Sequence, residues 1–410
     1  MCAGRRHPPT CAGNRSIAAR QIPRSRAGAL PRTRTRTRTR NTIVEGVEVL
    51  TRPDARTLTR TIRSTLDGDV HGPLAVVADA ARLERVTQSL DGVDVILGTS
   101  GSTDGTGHLV GLSFVALTAS ATATHDRFGG PGQWLDTLPT DHVAGFQVAF
   151  RSALAGTTPL RVERWDDADA LRRALTDADP DLPVYASFVP AQLRRLLETA
   201  PEALSRLNAV LIGGAALSAP VAERAAAAKV RVVRSYGMTE TCGGCVYDGA
   251  PLNGVRVRIE DGLVQIGGQT LMTRYLDADS QPFVVDDGER WLTTADLAEL
   301  DDDGTIAVLG RADDVIISGG VNVPPRPIED CLEAALGGAW AVVGVPDEQW
   351  GQRVVAVTDT AGIELDDVRR ATLHLEPAFR PRQIAVAPLP RTGLGKLDRR
   401  ALRERLTRET

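Results

Sequence analysis

The chain has 410 residues, 42% hydrophobic and 24% charged, with net charge −4, which fits two or three globular domains at roughly 100–200 residues each. Five cysteines over this length make no disulfide framework and point to a reducing, cytoplasmic compartment, and no stretch nears the ~18 apolar residues of a membrane span. Residues 1–40 hold eleven arginines and no acid, so the remaining residues sum to −15, an acidic body that excludes nucleic acid as the main partner.

The first forty residues, rich in Arg, Pro, Thr and Ser, offer too little apolar surface to offset the entropy of ordering and read as a disordered tail. A transit peptide, a basic arm and an upstream extension without fold or function all remain open for it. From Asn41 onward, short Val/Ile/Leu runs at 74–78, 93–97 and 209–212 alternate with helical patterns at 168–176, 190–199 and 219–229. Buried strands interleaved with amphipathic helices predict an α/β fold with layered parallel sheets. After about residue 255 the texture changes to short strands at 255–259, 262–266 and 305–309, the last preceded by an Asp301-Asp-Asp-Gly304 turn, a β-hairpin-rich subdomain. A small α/β unit follows: helix 328–336, strands 340–345 and 353–358, helix 366–374. The expected division is tail 1–40, a large domain 41–312 and a small mobile domain 313–410.

Three segments carry chemistry. Residues 97–107, LGTSGSTDGTG, follow a strand, and glycines with hydroxyl side chains leave N–H groups free to approach a polyphosphate. No Gly-Lys-Ser/Thr follows, so this is not the common triphosphatase loop; alone, it also reads as a flexible polar loop. Residues 233–242, VRSYGMTETC, place Glu240 between two threonines, where it can hold Mg²⁺ or simply cap a turn. Cys242 and Cys245 have redox-pair spacing with no second pair for zinc. Residues 389–399, LPRTGLGKLDR, put Lys396 on a glycine-flexed loop, where a compact ammonium can be carried to developing negative charge. It is one of only two lysines among 48 basic residues; the other, Lys229, reads as a solvated charge at a helix end.

In this order, the three segments resemble the acyl-adenylate-forming superfamily of acyl-CoA ligases, adenylation domains and luciferases. Further runs fit it: Gly213-Gly-Ala-Ala-Leu217, Trp291-Leu-Thr-Thr-Ala-Asp296, Gly310-Arg-Ala-Asp-Asp-Val-Ile and 343–351, VGVPDEQWG. The runs at 129–135, 138–145, 235–247 and 316–322 look closest to the o-succinylbenzoate–CoA ligases of menaquinone biosynthesis. The resemblance implies a large domain, a mobile small domain and an ATP-dependent acid–CoA ligase using Mg²⁺ and coenzyme A. Its partners are small molecules (ATP, an aromatic carboxylic acid, CoA), and a homodimer is left open.

By the same resemblance, Thr99, Ser100, Gly101, Ser102 and Thr103 surround the phosphates, and Gly213, Gly214, Ala215, Tyr236, Gly237 and Met238 line the nucleotide. Asp296 and Arg311 hold the ribose. Lys396, Glu240 and Thr239 are the catalytic set, with Glu240 on the metal. Asp313 is the hinge, His142 and Gly214 line the acyl pocket, and Ser318, Gly319 and Gly320 meet CoA. Three departures stand out. The phosphate loop lacks the family's lysine, with His108 the nearest cationic candidate; Ala295 replaces a glycine; and the first subdomain is expected to be abbreviated. A carrier-loading adenylation domain and a degenerate nucleotide-binding regulator are the competing readings.

Overall fold

In the computed structural model, residues 46–69, 71–99, 107–391 and 397–408 are described. The tail 1–40, Ser100, Gly101, Ser102, Thr103 and Lys396 lie outside them. Five strands form the first sheet in the order Glu48–Thr51, Leu74–Val77, Val95–Gly98, Leu109–Leu112 and Arg274–Tyr275. The first three run parallel; the last two join antiparallel. The second sheet has five parallel strands, Leu160–Arg161, Gln133–Asp136, Val184–Phe188, Ala209–Ile212 and Val232–Met238. Gly243–Tyr247 and Ala250–Pro251 extend it antiparallel. The expected parallel sheets are therefore parallel at heart and antiparallel at one edge; in the second sheet the short turns after Met238 and Tyr247 return the chain there without a crossover helix.

The period-two alternation of strand side chains explains the layering. Val76, Leu97, Tyr185 and Leu211 point into one core with helices Phe114–Phe128 and Val143–Ala155. Their neighbours Ala75, Val77 and Ile96 face a second cluster, and Ala186, Val210 and Ile212 a third, the latter beneath helices Ala168–Thr176 and Pro190–Thr199. Both faces of each sheet are thus buried, which is why these strands read as unbroken apolar runs. The helix expected to reach residue 229 ends at Ala227, and Lys229 takes a positive φ of 57° just beyond it.

The core also holds a polar pair. Arg151 is buried, its guanidinium 4.9 Å from the Trp134 ring centroid and donating to the Tyr247 hydroxyl at 3.4 Å. Burial and the nearby Arg151 charge push the pKa of His125 down to about 4. A folded-state pKa below the unfolded value of ~6.5 leaves stability intact above that pH and erodes it as pH falls towards 4, by up to about 3 kcal/mol. His125→Gln is expected to flatten the fall of the melting temperature between pH 6.5 and 4; an unchanged slope would place the acid-labile group elsewhere.

After residue 252, strands Val255–Glu260, Leu263–Gly268, Glu289–Leu300, Phe283–Asp286 and Ile306–Arg311 make an antiparallel sheet. The Asp301–Gly304 turn joins Glu289–Leu300 to Ile306–Arg311 as expected, and that hairpin sets Asp296 directly opposite Arg311. The last sheet, built on Trp340–Asp347 and Gly351–Thr358, carries helices Pro325–Leu336 and Leu365–Ala371 on one face. Helix Arg399–Arg408 covers the other through Leu402 and Leu406. Among the described residues, no helix is long and apolar enough to cross a membrane.

Candidate functional site

Strands Val184–Phe188, Ala209–Ile212 and Val232–Met238 run parallel, so the loops leaving their carboxyl ends open on one edge, where α/β sheets bind ligands. The first such loop is Gly213-Gly214-Ala215. The Gly213 N–H donates to the Phe188 carbonyl at 3.2 Å, Gly214 has φ 78°, and Gly214 and Ala215 are exposed. Gly213 faces Ser235 on the neighbouring strand, with room for an ordinary contact. Tyr236, Gly237 and Met238 end that strand. A Cβ on Gly237 would stand 2.1 Å from the Gly243 carbonyl oxygen, so the turn back into Gly243–Tyr247 demands glycine there.

The turn between these strands is the 3₁₀ segment Thr239–Thr241. The Met238 N–H donates to Thr241 Oγ1 at 3.0 Å, and that hydroxyl donates to the Gly243 carbonyl at 2.7 Å. Cys242 offers its carbonyl to Ser120 Oγ and Gln147 Nε2, at 3.0 and 2.7 Å. Held this way, the backbone presents Glu240 at a defined place: the Met272 N–H donates to its carbonyl at 2.8 Å, and the Tyr275 hydroxyl donates to its carboxylate Oε1 at 2.7 Å. Thr239 is buried in the same turn. Burial and the Glu240 charge push Tyr275 well above the usual phenol range, which keeps it a donor. One carboxylate with Oε2 left for a ligand suits Mg²⁺, which takes one or two carboxylates and completes its shell with water and substrate phosphates. Among the described residues no cluster of three metal-ligating side chains competes for a metal.

A second carboxylate stands on the adjoining sheet. The Tyr236 hydroxyl donates to Asp296 Oδ2 at 2.7 Å, and Arg311 Nη1 lies 3.9 Å from Asp296 Oδ1. Arg311 also grips Asp313 with two bonds, Nε to Oδ1 at 2.8 Å and Nη2 to Oδ2 at 2.9 Å. Those bonds hold the Asp313 carboxyl below its usual range. One guanidinium thus ties the Asp296 carboxylate to the segment leading into the C-terminal sheet.

The remaining expected residues are dispersed. His142 stands at the N-cap position of helix Val143–Ala155, with no side-chain capping bond, and is half-buried; Val143 and Gln147 of that helix pack toward Gly243. Thr99 and His108 close the neck of the 100–106 segment. Ser318 is buried, while Gly319 and Gly320 form the exposed turn of a hairpin at φ 60° and 81°, with the Gly319 N–H donating to the Trp350 carbonyl at 2.8 Å. Cys242 and Cys245 are both fully buried and their thiols are pushed up, Cys245 to about 12, which disfavours thiolate chemistry. Tyr275, Asp277 and Arg85 escape sequence reasoning altogether: they lie in none of the short motifs quoted above, and the pairing of Arg274–Tyr275 with Leu109–Leu112 brings the first two here.

The AMP-binding enzyme family matches residues 34–276. A Mycobacterium tuberculosis protein (strain CDC 1551 / Oshkosh) named "Probable 2-succinylbenzoate--CoA ligase" is 42% identical over 343 residues, covering 79% of this chain and 88% of its own. A Staphylococcus epidermidis "2-succinylbenzoate--CoA ligase" is 30% identical over 342 residues, covering 77% and 70%. Among solved structures, the o-succinylbenzoate CoA synthetase of Bacillus subtilis, in complex with the acyl-adenylate intermediate OSB-AMP, superposes with TM-score 0.70 at 23% identity, over 89% of this chain and 88% of that one. The same enzyme with ATP and magnesium ion gives 0.69 at 24%, over 89% and 90%.

Proposed function

This chain belongs to the AMP-binding enzyme family, and from that premise we infer an ATP-dependent acid–CoA ligase that converts o-succinylbenzoate to its CoA thioester, the activity named for its relatives at 42% and 30% identity. The observation that carries the reading is the paired setting of two carboxylates at the carboxyl edge of the parallel strands. Glu240 is held by Tyr275, and Asp296 by Tyr236 beside Arg311. ATP and coenzyme A are the co-substrates, and we place the reaction in the cytoplasm, where both are supplied.

The reaction runs in two steps. A substrate carboxylate oxygen attacks the α-phosphorus of ATP, the bond to the β-phosphate oxygen breaks, and acyl-adenylate and pyrophosphate form. The CoA thiol then attacks the acyl carbon, giving up its proton and releasing AMP. In this reading Asp296 accepts the ribose hydroxyls, the neighbouring Arg311 neutralising its charge, and Gly213, Gly214 and Ala215 lie along the base. Glu240 would hold Mg²⁺, which would supply neutralisation of the phosphate charge. Lys396 donates to the oxygens that gain charge in the first step, so catalysis there is positioning and electrostatics.

The small domain 313–410 then turns about Asp313, withdrawing Lys396 and bringing Gly319 and Gly320 to the thiol. One orientation cannot serve both steps, because the lysine must reach the α-phosphate in the first and leave the way open for the thiol in the second. Breaking the two Arg311–Asp313 bonds is the local cost of that turn.

The test is thioester formation dependent on ATP, Mg²⁺ and CoA with o-succinylbenzoate, benzoate, a cinnamate and a medium-chain fatty acid. A clear preference for o-succinylbenzoate is expected. Preference for another acid would reassign the substrate, and transfer only to a carrier protein would reassign the acceptor.

A further inference from the structure

Ala312–Asp314 is a single 3₁₀ turn, closed by the Val315 N–H on the Ala312 carbonyl at 3.3 Å, and it sets two adjacent carboxylates between strand Ile306–Arg311 and the C-terminal sheet. They are gripped from opposite sides. Arg311, on the strand before the turn, holds Asp313 with the two bonds described above. Asp314 is held from the far end of the chain, where Arg399 Nε lies 3.3 Å from its Oδ2. A pivot at Asp313 thus works between two anchored neighbours.

Arg399 opens the last helix, three residues after Lys396. Its side chain is 20% exposed and reaches two further elements. Nη2 donates to Glu329 Oε2 at 2.8 Å, and Nη1 donates to Glu329 Oε1 and to the Val342 carbonyl, the latter at 3.1 Å. Glu329, on helix Pro325–Leu336, in turn accepts the Val342 N–H at 2.7 Å. A bidentate fork of this kind fixes direction as well as distance. Arg403, one helical turn further on, adds its charge to both Asp313 and Asp314.

Stability alone does not account for Asp314. Burial raises its carboxyl above the usual range, Arg399 pulls it back only in part, and the charge of Asp313 adds to the rise. An acid whose pKa is higher in the folded than in the unfolded state costs the fold stability once it ionises. The charge at this position is therefore carried against the stability of the fold, as functional groups often are.

We propose, resting on the two-step ligase reading, that Arg399 is a positioning residue: through Asp314 it couples the start of the last helix to the pivot, so that Lys396, just before that helix, follows the turn about Asp313. Only the lysine depends on this link. Gly319 and Gly320 lie on the hairpin 316–323, which joins strand Gly351–Thr358 through the pairing of Ser318 with Gly351. ATP and the acid are bound, in the same reading, by residues that precede the turn.

Asp314→Ala cuts the link and leaves the Arg399–Glu329 fork whole. It is expected to lower kcat for pyrophosphate exchange about 10- to 100-fold, the scale of a ~1 Å misplacement of a reacting group. KM for ATP and acid, and single-turnover thioester formation from supplied acyl-adenylate, should stay within twofold of the parent. The melting temperature should hold or rise, which separates positioning from a structural role. In a Lys396→Ala background the same substitution should cost nothing further, because its effect passes through the lysine. Arg399→Lys, which keeps the charge and loses the fork, should fall between the parent and Arg399→Gln in exchange.

Exchange within twofold of the parent in Asp314→Ala, beside a slow Lys396→Ala, would overturn the proposal and leave the ligase reading standing. Equal losses in both half-reactions, or a full further loss in the double variant, would also overturn it. If Lys396→Ala by itself leaves exchange untouched, the role read for the lysine falls and the positioning role falls with it.

Discussion

Lys396→Ala is expected to slow acyl-adenylate formation by about 10²–10³-fold, the usual cost of losing a donor to transition-state charge, and to leave thioester formation from supplied acyl-adenylate nearly unchanged. The asymmetry follows from the two-orientation mechanism, in which the ammonium faces the α-phosphate only in the first step. Folding should be indifferent to the change, because the segments on either side are anchored without it. Arg391 and Leu397 pair across an antiparallel bridge, the Asp398 N–H donates to the Pro390 carbonyl at 2.9 Å, and Asp398 Oδ1 takes the Ala401 N–H at the start of the last helix. Arg399 adds ion pairs to Glu329 and to Asp314, the neighbour of Asp313. Pyrophosphate exchange measured beside single-turnover thioester formation separates the steps. Equal losses in both would reject the role given to Lys396.

Glu240→Gln is expected to cost about as much, roughly 10²-fold or more in adenylate formation, with a raised Mg²⁺ requirement as its signature. Glutamine keeps the shape of the side chain and can still accept from Tyr275, so the turn at 239–241, secured by Thr241 and Cys242 through other bonds, should stand. What disappears is the negative charge that a hard divalent cation needs. Titrating Mg²⁺ in the pyrophosphate-exchange assay checks this. The apparent Mg²⁺ constant should rise while the melting temperature stays put, and an unshifted constant would remove Glu240 from the metal.

The tyrosine clamps on Glu240 and Asp296 also show how far the linear order of residues carries. VRSYGMTE at 233–240 was readable as a strand entering a ligand loop because it is a local run, and TTAD at 293–296 was readable as a second carboxylate segment through its resemblance to the superfamily. Nothing local pairs Tyr236 with Asp296, 60 residues apart, or Tyr275 with Glu240, 35 apart. Those bonds arise where strands from different sheets meet, and they determine which oxygen of each carboxylate is already taken.

Helix Ala168–Thr176 illustrates the opposite case. Its buried Ala170, Leu171, Ala174 and Leu175 recur at helical spacing, and Asp167 caps the start by accepting the Asp169 N–H, so its ends were visible in the residues themselves. The helix at 219 was readable at its beginning and not at its end, since nothing in the alanine run marks where Lys229 swings to positive φ. Arg82 is the least legible residue. Its segment looks like an ordinary charged surface helix, and its guanidinium lies against Gly98, at the end of a buried strand sixteen residues on.

From residue order came the α/β class, the alternation of buried runs with amphipathic helices, and the glycine- and hydroxyl-rich loops, because backbone propensity and burial periodicity act over a few neighbouring positions. Folding in three dimensions added the antiparallel sheet edges, the tyrosines clamping both carboxylates and the Arg85–Asp277 ion pair. Each of these depends on side chains from distant segments meeting at hydrogen-bond distance, and no short stretch of chain carries the energy of such a meeting.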